Sequence, residues 1–452
     1  MDTNGAWHGL DRYPLLDALR GRRSRRFGVG MRIEQGPFTY ASAKPPQPLS
    51  EAEEAALVFA ATGITGYALR DLAYGPAQGG TMMAGAVSRT ISSGDAINAV
   101  ALFVTNDEAT YYIRRPQDFA PNEIPALLEA AQRGQLVELY RHLRVKIKDG
   151  RAAPPLDPPI NFSLNRWSLY ARGGTYFLPV NDLTYFYING LLEMLDEGME
   201  LFVVDERAGF RPAGLARFGR RRGGHLVDDL LAGRTAPISA VEMTVLEMVT
   251  VEQGMMLQNL GLMAQALGLG AWPNFARHES AWFEALGFRM GSLPASRYLG
   301  ANRLISAVMG ALKREPATPY PLGLDHGGQP LVRPFCPPYY PSMEAAVRAV
   351  VEAKFGPEGI FRGGARAGSW REPKAVVRRV PPIKPEVVEA VIAYCEYVYK
   401  AYGRFPAYVA PFRTVLGCQA THVDLDFYDK FYRPEAVTDT QREHQARWHG
   451  QG

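Results

Sequence analysis

The chain has 452 residues, of which 47% are hydrophobic and 21% charged, so it is long enough for one large domain or two to three smaller ones. A formal net charge of only +4 excludes the broad basic surface of a dedicated nucleic-acid-binding protein. Three scattered cysteines exclude a disulfide framework, and the first residues lack the apolar run of a secretory signal, so we expect a cytoplasmic protein.

The first part of the chain alternates predicted helices and strands. Ser50 and Glu53 have the spacing of a capping box, which marks the start of a helix. Within residues 11–27, a short helix that runs into an arginine-rich loop is predicted. Helices are also predicted over residues 50–73 and 121–148, strands over 99–106 and 110–115, and a loop rich in Gly, Ser and Thr over 75–95. A proline-rich break at 153–159 indicates the edge of an insertion.

The second part contains one long helical segment and a proline-rich end. A helix is expected from about Asn181, capped by that residue or by Asp182. Further elements are predicted as a strand over 199–206, a helix over 241–267 that ends at Gly268, a strand or extended loop over 271–275, and helices over 342–354 and 385–402. The polar tail from residue 434 is expected to fray.

The most apolar segment, around 241–272, is not a membrane span. Glu242, Glu252 and Gln253 interrupt it, which is typical of a core helix in a water-soluble protein. The chain also lacks the GxGxxG, GxxxxGK[ST], HExxH, GxSxG and EF-hand patterns, so the common nucleotide, zinc, hydrolase and calcium motifs do not assign a function.

Three segments in order along the chain resemble the nitroreductase-like FMN flavoprotein superfamily, and within it the subgroup of azoline-forming oxidases. They are the arginine loop Arg22-Arg23-Ser24-Arg25-Arg26-Phe27, the segment SRTISSGDAINAVALFVTN at 88–106, and VEQGMMLQNLGLMAQALGLGAWPNF at 251–275. The resemblance implies an α+β fold in which helices surround a mixed, mainly antiparallel sheet. It also implies a homodimer, an FMN-binding domain over 1–330 with an insertion near 116–160, and a C-terminal extension of unknown role over 331–452.

The resemblance also implies a set of cofactor-binding residues. Arginine and serine suit the FMN phosphate because the guanidinium is a planar fork of donors and the hydroxyl adds another. A cation near the flavin ring would stabilise its reduced anion. The implied contacts are Arg22, Arg23 and Ser24 at the phosphate, Arg26 at the pyrimidine edge of the ring, Ser92, Ser93, Gly94 and Asp95 from the second segment, and Pro273, Asn274, Phe275 and Ala276 beside the flavin.

Two positions depart from the family pattern. Asp95 stands where the family has Asn or a small residue, and it would accept from flavin N3–H or pair with Arg26. Phe275 and Ala276 replace a Glu-Gly pair, which keeps a backbone donor and loses the side-chain contribution. No catalytic side chain is assigned.

The expected function is FMN-dependent oxidoreduction, with hydride passing from NAD(P)H through flavin N5 to a small organic acceptor. Two alternatives stay open: a flavin-dependent dehydrogenase or oxidase that reduces dioxygen, and a non-catalytic adaptor with the same fold. Binding of nucleic acid through the arginine loop is a weaker hypothesis that predicts strong salt dependence, and neither a nucleic-acid nor a membrane partner is expected.

One further cluster raises a metal hypothesis. Cys418, His422, Asp424 and Asp426 lie close together in CQATHVDLDFYD, and the last three would share one face of a strand. Because a second group of ligands is missing, a structural role is favoured and no metal site is predicted.

Overall fold

The computed structural model describes residues 10–72, 80–83, 85–156, 166–275, 279–301, 303–312, 315–362 and 368–449. The helices are α1 (Leu15–Gly21), α2 (Glu51–Thr62), α3 (Ile124–Gln132), α4 (Leu136–Leu143), α5 (Leu183–Met194), α6 (Ile238–Leu267), α7 (Glu279–Leu286), α8 (Ala295–Leu299), α9 (Arg303–Ala311), α10 (Met343–Phe355), α11 (Pro373–Val377), α12 (Pro385–Tyr402), α13 (Leu425–Phe431) and α14 (Asp439–His449). The strands are β1 (Arg32–Ile33), β2 (Tyr40–Ala41), β3 (Ile64–Tyr67), β4 (Val87–Arg89), β5 (Val100–Thr105), β6 (Ala109–Ile113), β7 (Arg144–Asp149), β8 (Thr175–Asp182), β9 (Phe202–Asp205), β10 (Arg211–Pro212), β11 (Thr235–Pro237), β12 (Gly270–Phe275), β13 (Arg289–Pro294), β14 (Ala317–His326), β15 (Gln329–Val332), β16 (Phe412–Arg413) and β17 (Leu416–Thr421).

A central antiparallel sheet organises the molecule. Its strand order is β12-β17-β8-β5-β6-β7, and β16 also pairs with β8. All its pairings are antiparallel. The parallel pair β9–β11 belongs to a separate small sheet. The α+β class is therefore confirmed, whereas the central sheet is antiparallel rather than mixed.

The long helix α6 lies across one face of this sheet. Met256, Leu257 and Leu260 are buried in a core that also contains residues of β5, β8 and β17. Gly268 ends the helix in the left-handed region with φ 79°, as the sequence predicts. The face of α6 turned away from the sheet carries exposed apolar residues at helical spacing, which we call the α6 stripe: Met243, Met248, Val251 and Met255.

The central sheet contains strands from both sides of the predicted domain boundary at residue 330. Strand β17 lies between β12 and β8, with Cys418 opposite Pro273 on one side and Phe177 on the other. Both faces of β17 are largely covered, and its sequence therefore shows no polar–apolar alternation that would distinguish it from an extension. The segment 331–452, which the sequence assigned to an extension, therefore contributes the strand β17 to the central sheet.

Three predicted elements also need correction. The helix over 50–73 ends at Thr62, because Gly63 leaves the helical conformation and the β-forming sequence at Ile64–Tyr67 pairs with β4. The end of the predicted helix over 121–148 is strand β7, which extends the sheet beside β6. The tail is helical over Asp439–His449 rather than frayed, and this helix, α14, packs against α6.

The loop predicted over 75–95 contains strand β4, which pairs with β3, and α1 covers only Leu15–Gly21 of the segment 11–27. The other predicted helices and strands agree with the structure within a few residues. The capping box at Ser50 and Glu53 is present, and the Asp182 side chain caps α5 by accepting from Thr184 N–H. Among the described residues, no helix combines the length and the apolar composition required to cross a lipid bilayer.

Candidate functional site

The arginine loop (Arg22–Arg26) leaves the end of α1 and is fixed by one buried side chain. Arg25 donates from Nε to the carbonyl of Ala436 at 2.8 Å and from a terminal nitrogen to Gln265 Oε1 at 2.8 Å. It also donates to the Gly21 carbonyl at 3.2 Å. Burial beside these neutral acceptors lowers the pKa of Arg25 to about 10. Arg25 therefore joins the loop to α6 and to the C-terminal segment.

The neighbouring residues of the loop border a cavity of about 860 Å³, which we call the arginine cavity. Arg23, Ser24 and Arg26 are exposed and lie on its wall together with Arg433. Arg23 donates to the carbonyls of Arg20 and Arg22, and both of these acceptors are neutral. This wall concentrates positive charge around a volume typical of small-molecule sites.

Aromatic rings form the other walls of the arginine cavity. Phe27 stacks on Phe427 with ring centroids 4.0 Å apart and lies 5.9 Å from Trp167. At the rim, Phe38 stacks on Tyr432 with centroids 5.6 Å apart, and both side chains are exposed. Ring faces beside arginines suit a ligand that combines an anion with a flat ring.

The serine loop (Ser92–Asp95) is held at a different place, against the middle of α6. Ser93 Oγ donates to Glu252 Oε2 at 2.9 Å and accepts from Asn98 N–H at 2.8 Å. Glu252 forms a buried ion pair with Arg89 at 2.8 Å. The predicted binding residue Ser93 thus contributes to a buried network that fixes the loop to the helix.

The backbone is strained from the last residue of the serine loop onward. Asp95, Ala96 and Asn98 have positive φ values of 49°, 56° and 58°. Each such residue costs on the order of 1 kcal/mol or more when it is not glycine. The Asn98 side chain, which donates to the carbonyls of Val87 and Ala96, helps to hold this conformation. Ala96 and Asn98 border a second cavity of about 630 Å³.

The charged side chains that act on Asp95 differ from Arg26, the partner that the sequence suggested. Half-burial raises its pKa, while Lys354 opposes that shift and Asp71 adds to it. Burial lowers the pKa of Lys354 to about 7, against the opposing effect of Glu193 and Asp95. The charges that act on Asp95 therefore come from these side chains, and the suggested pairing with Arg26 is not seen among the described contacts.

The third predicted segment lies at the far end of β12. Asn274 Oδ1 accepts from the Tyr176 hydroxyl at 2.6 Å, Pro273 is exposed, and the Phe275 side chain is 69% exposed. Ala276 lies outside the described residues.

The three predicted segments do not converge within one chain. The arginine loop adjoins the start of β12, because a Cβ atom added to Gly270 would lie 2.5 Å from the carbonyl oxygen of Arg25. Phe275 is five residues further along the strand, which corresponds to about 17 Å from Gly270. Arg22 packs against α6 at Gly261, whereas Ser93 contacts Glu252, about 13 Å away along the helix. Neither of the two cavities is lined by residues from all three segments.

Sequence reasoning missed the side of the arginine cavity that the C-terminal segment builds. Phe427, Tyr428, Tyr432 and Arg433 belong to the region that the sequence assigned to an extension. The aromatic residues clustered around Lys430 were a visible signal, but nothing local connected them to a loop 400 residues earlier.

The candidate metal cluster of the sequence separates in the structure. Strand β17 ends at Thr421, and Asp424 instead caps α13 by accepting from Phe427 N–H at 3.2 Å. Cys418 belongs to the core beneath α6, where burial raises the pKa of its thiol to about 12. His422 contacts residues from other parts of the chain.

Comparison with known proteins adds little. No protein-family model matches the chain, and a search of curated proteins found no match. Among solved structures, the chain is similar to an inferred nitroreductase of Ralstonia eutropha JMP134, with 11% identity and a TM-score of 0.28 over 61% of this chain and 75% of the other. A similarity this low supports no conclusion about fold or function.

Proposed function

We propose that the chain is an FMN-dependent oxidoreductase whose arginine loop binds the flavin phosphate. The arginine cavity carries this proposal, because it places exposed guanidinium groups and a serine hydroxyl beside aromatic ring faces. FMN combines a phosphate dianion with a flat ring, and arginine binds phosphate through paired donors. The cavity's residues therefore fit the phosphate end and one face of such a cofactor.

Each residue around the cavity has a distinct role in this proposal. Arg23 and Ser24 hold the phosphate and Arg26 lies at the pyrimidine edge of the ring, while Arg25 fixes the loop through its bonds to Ala436 and Gln265. Phe38 and Tyr432 cover the ring and exclude water. A bound flavin would supply hydride transfer from NAD(P)H to a small organic acceptor or to dioxygen.

The serine loop and the end of β12 lie outside the arginine cavity, and we propose that a second copy of the chain completes the site. The α6 stripe exposes Val251 by 57% and Met243 by 50%. Leu15, Leu16 and Leu19 are further exposed apolar side chains on α1, which contacts α6. An apolar helix surface of this kind is typical of a subunit interface.

The interface proposal is tested by Val251→Glu, with Leu304→Glu on α9 as the control. Both residues are exposed and apolar, but only Val251 lies in the α6 stripe. We expect the wild type and the control to sediment as dimers and Val251→Glu as a monomer. A wild type that is monomeric in sedimentation equilibrium would refute the interface.

The cofactor proposal is tested by denaturing the purified protein and identifying the released flavin. Arg23→Ala removes a cation from the cavity wall, and Arg20→Ala removes one from exposed α1, outside the cavity lining. Loss of a charge-assisted bond of about 1.5–3 kcal/mol predicts at least about tenfold weaker FMN binding for Arg23→Ala alone. Equilibrium dialysis against FMN measures this ratio.

Two results would contradict the cofactor proposal. A colourless wild type that takes up no FMN would favour the adaptor alternative, which the separation of the serine loop from the cavity also favours. Equal affinity in Arg23→Ala and Arg20→Ala would place the phosphate elsewhere. If FMN is bound, NADH or NADPH consumption with and without oxygen distinguishes dioxygen from an organic acceptor.

A further inference from the structure

A buried cluster of metal-ligating side chains joins three distant segments, away from the arginine cavity's lining. Glu53 comes from the first turn of α2, His422 follows β17, and His444 lies in α14. The three side chains are 2%, 1% and 7% exposed. One ligand atom from each lies within 4.8 Å of the others.

The distances in this cluster are close to those of a coordination site. Glu53 Oε1 lies 2.8 Å from His444 Nε2, and Glu53 Oε2 lies 3.6 Å from His422 Nε2. The imidazole rings of His422 and His444 are tilted with centroids 4.9 Å apart. In a tetrahedral zinc site with bonds of about 2.0–2.1 Å, neighbouring ligand atoms are about 3.3 Å apart. The two distances from Glu53 to the histidine nitrogens lie on either side of this value.

The surroundings orient these ligands. Ser50 donates to Glu53 Oε2 from its N–H at 2.7 Å and from its hydroxyl at 2.8 Å, so the capping box fixes the carboxylate. The Pro48 carbonyl oxygen lies 3.2 Å from His422 Nε2 and can provide a further oxygen ligand. Hydrogen bonds that orient a metal ligand are a usual feature of metal sites.

From this geometry we propose that Glu53, His422 and His444 bind a divalent first-row transition-metal ion of the zinc type. Two imidazoles and one carboxylate form a donor set that zinc uses in proteins. Because the site is buried and connects α2 to α14, the ion holds the C-terminal helix against the body of the fold. The proposal is independent of flavin binding.

The test measures binding of Zn²⁺ and Co²⁺ to the full-length, metal-stripped protein. We expect about one equivalent of Zn²⁺ by calorimetry, a rise in the melting temperature, and visible absorption of the Co²⁺ form. His444→Gln and His422→Gln should each weaken binding at least about tenfold, while the exposed His326→Gln should bind like the wild type. Circular dichroism checks that each variant is folded.

Measurements on the wild type keep the proposal testable if a variant fails to fold. X-ray absorption of the zinc-loaded protein should show nitrogen and oxygen neighbours at about 2.0–2.1 Å with the scattering pattern of two imidazoles. Sulfur ligation, fewer than two imidazoles, or failure of the stripped wild type to bind Zn²⁺ would overturn the proposal. The same holds if folded His422→Gln and His444→Gln bind as tightly as His326→Gln, and the cluster is then a hydrogen-bonded group only.

Discussion

The arginine loop and the middle of α6 use the same side chain in opposite ways. In the loop, Arg23 is exposed, lines the cavity and donates to neutral carbonyls. At α6, Arg89 is completely buried, and Glu252 neutralises it at 2.8 Å. An exposed arginine whose hydrogen bonds go to neutral carbonyls can bind an anionic ligand, whereas a buried and paired arginine stabilises the fold. Three predictions sharpen this comparison.

The largest effect is expected where a buried charge loses its partner. Glu252→Ala leaves the Arg89 guanidinium buried and uncompensated, which costs about 3–5 kcal/mol of the free energy of unfolding. Equilibrium urea denaturation measures this loss. The double variant Arg89→Met/Glu252→Leu should lose less than Glu252→Ala. A double variant less stable than the single one would show that the pair is not the main interaction.

A smaller loss is expected within the arginine loop itself. Arg25→Ala removes hydrogen bonds to Gln265 and to two carbonyls, and the acceptors left buried should lower the free energy of unfolding by about 2–3 kcal/mol. Arg23→Ala, two residues away, is the control and should change it by less than about 0.5 kcal/mol. Similar urea midpoints for the two variants would contradict the division into a structural and a cavity-facing arginine.

The third effect concerns Glu242, a buried carboxylate of α6 that accepts hydrogen bonds from backbone N–H groups, whereas Glu252 forms an ion pair with an arginine. Glu242 accepts from the N–H groups of Ala407 and Tyr408 at 2.6 and 2.7 Å, and burial raises its pKa to about 7. Its protonated form is favoured in the folded state, so its contribution to stability is complete below about pH 4.5 and is lost as the pH rises to about 7. The expected loss is at most about 3 kcal/mol.

Urea denaturation across pH 4 to 8 measures this dependence. Glu242→Gln should abolish most of the loss between pH 4.5 and 7, although the amide gives up one of the two backbone hydrogen bonds. Glu247→Gln, an exposed position on the same helix, should retain the wild-type profile. If both variants follow the wild-type curve, Glu242 is ionised throughout this range.

The sequence predicted local elements well because they depend on neighbouring residues. The capping box at Ser50 and Glu53 and the glycine that ends α6 act within one helical turn. The continuous apolar run of β5 also marks a strand covered on both faces, whatever its partners. By contrast, the strand at Ile64–Tyr67 was missed because an apolar segment beside a helix has no decisive period of its own.

The candidate site was only partly predictable. The arginine loop was found from its own residues, but its four charges divide into roles only once Arg25 meets Gln265 and Ala436. The serine loop and the end of β12 were expected beside the arginine loop. Within one chain, each lies more than the length of a helical turn from that loop. The resemblance therefore supplied candidate residues without their arrangement.

The sequence by itself determined most of the longer helices and the strands β5 and β6, where α6 ends, and that a cluster of arginines stands near the N-terminus. Only the tertiary structure decided that β17 lies inside the central sheet, that the C-terminal aromatic residues face the arginine loop, and that His422 and His444 meet Glu53. The physical reason is range. Capping and periodicity act over a few residues, whereas strand order and buried side-chain clusters depend on contacts between segments hundreds of residues apart, which no local pattern encodes.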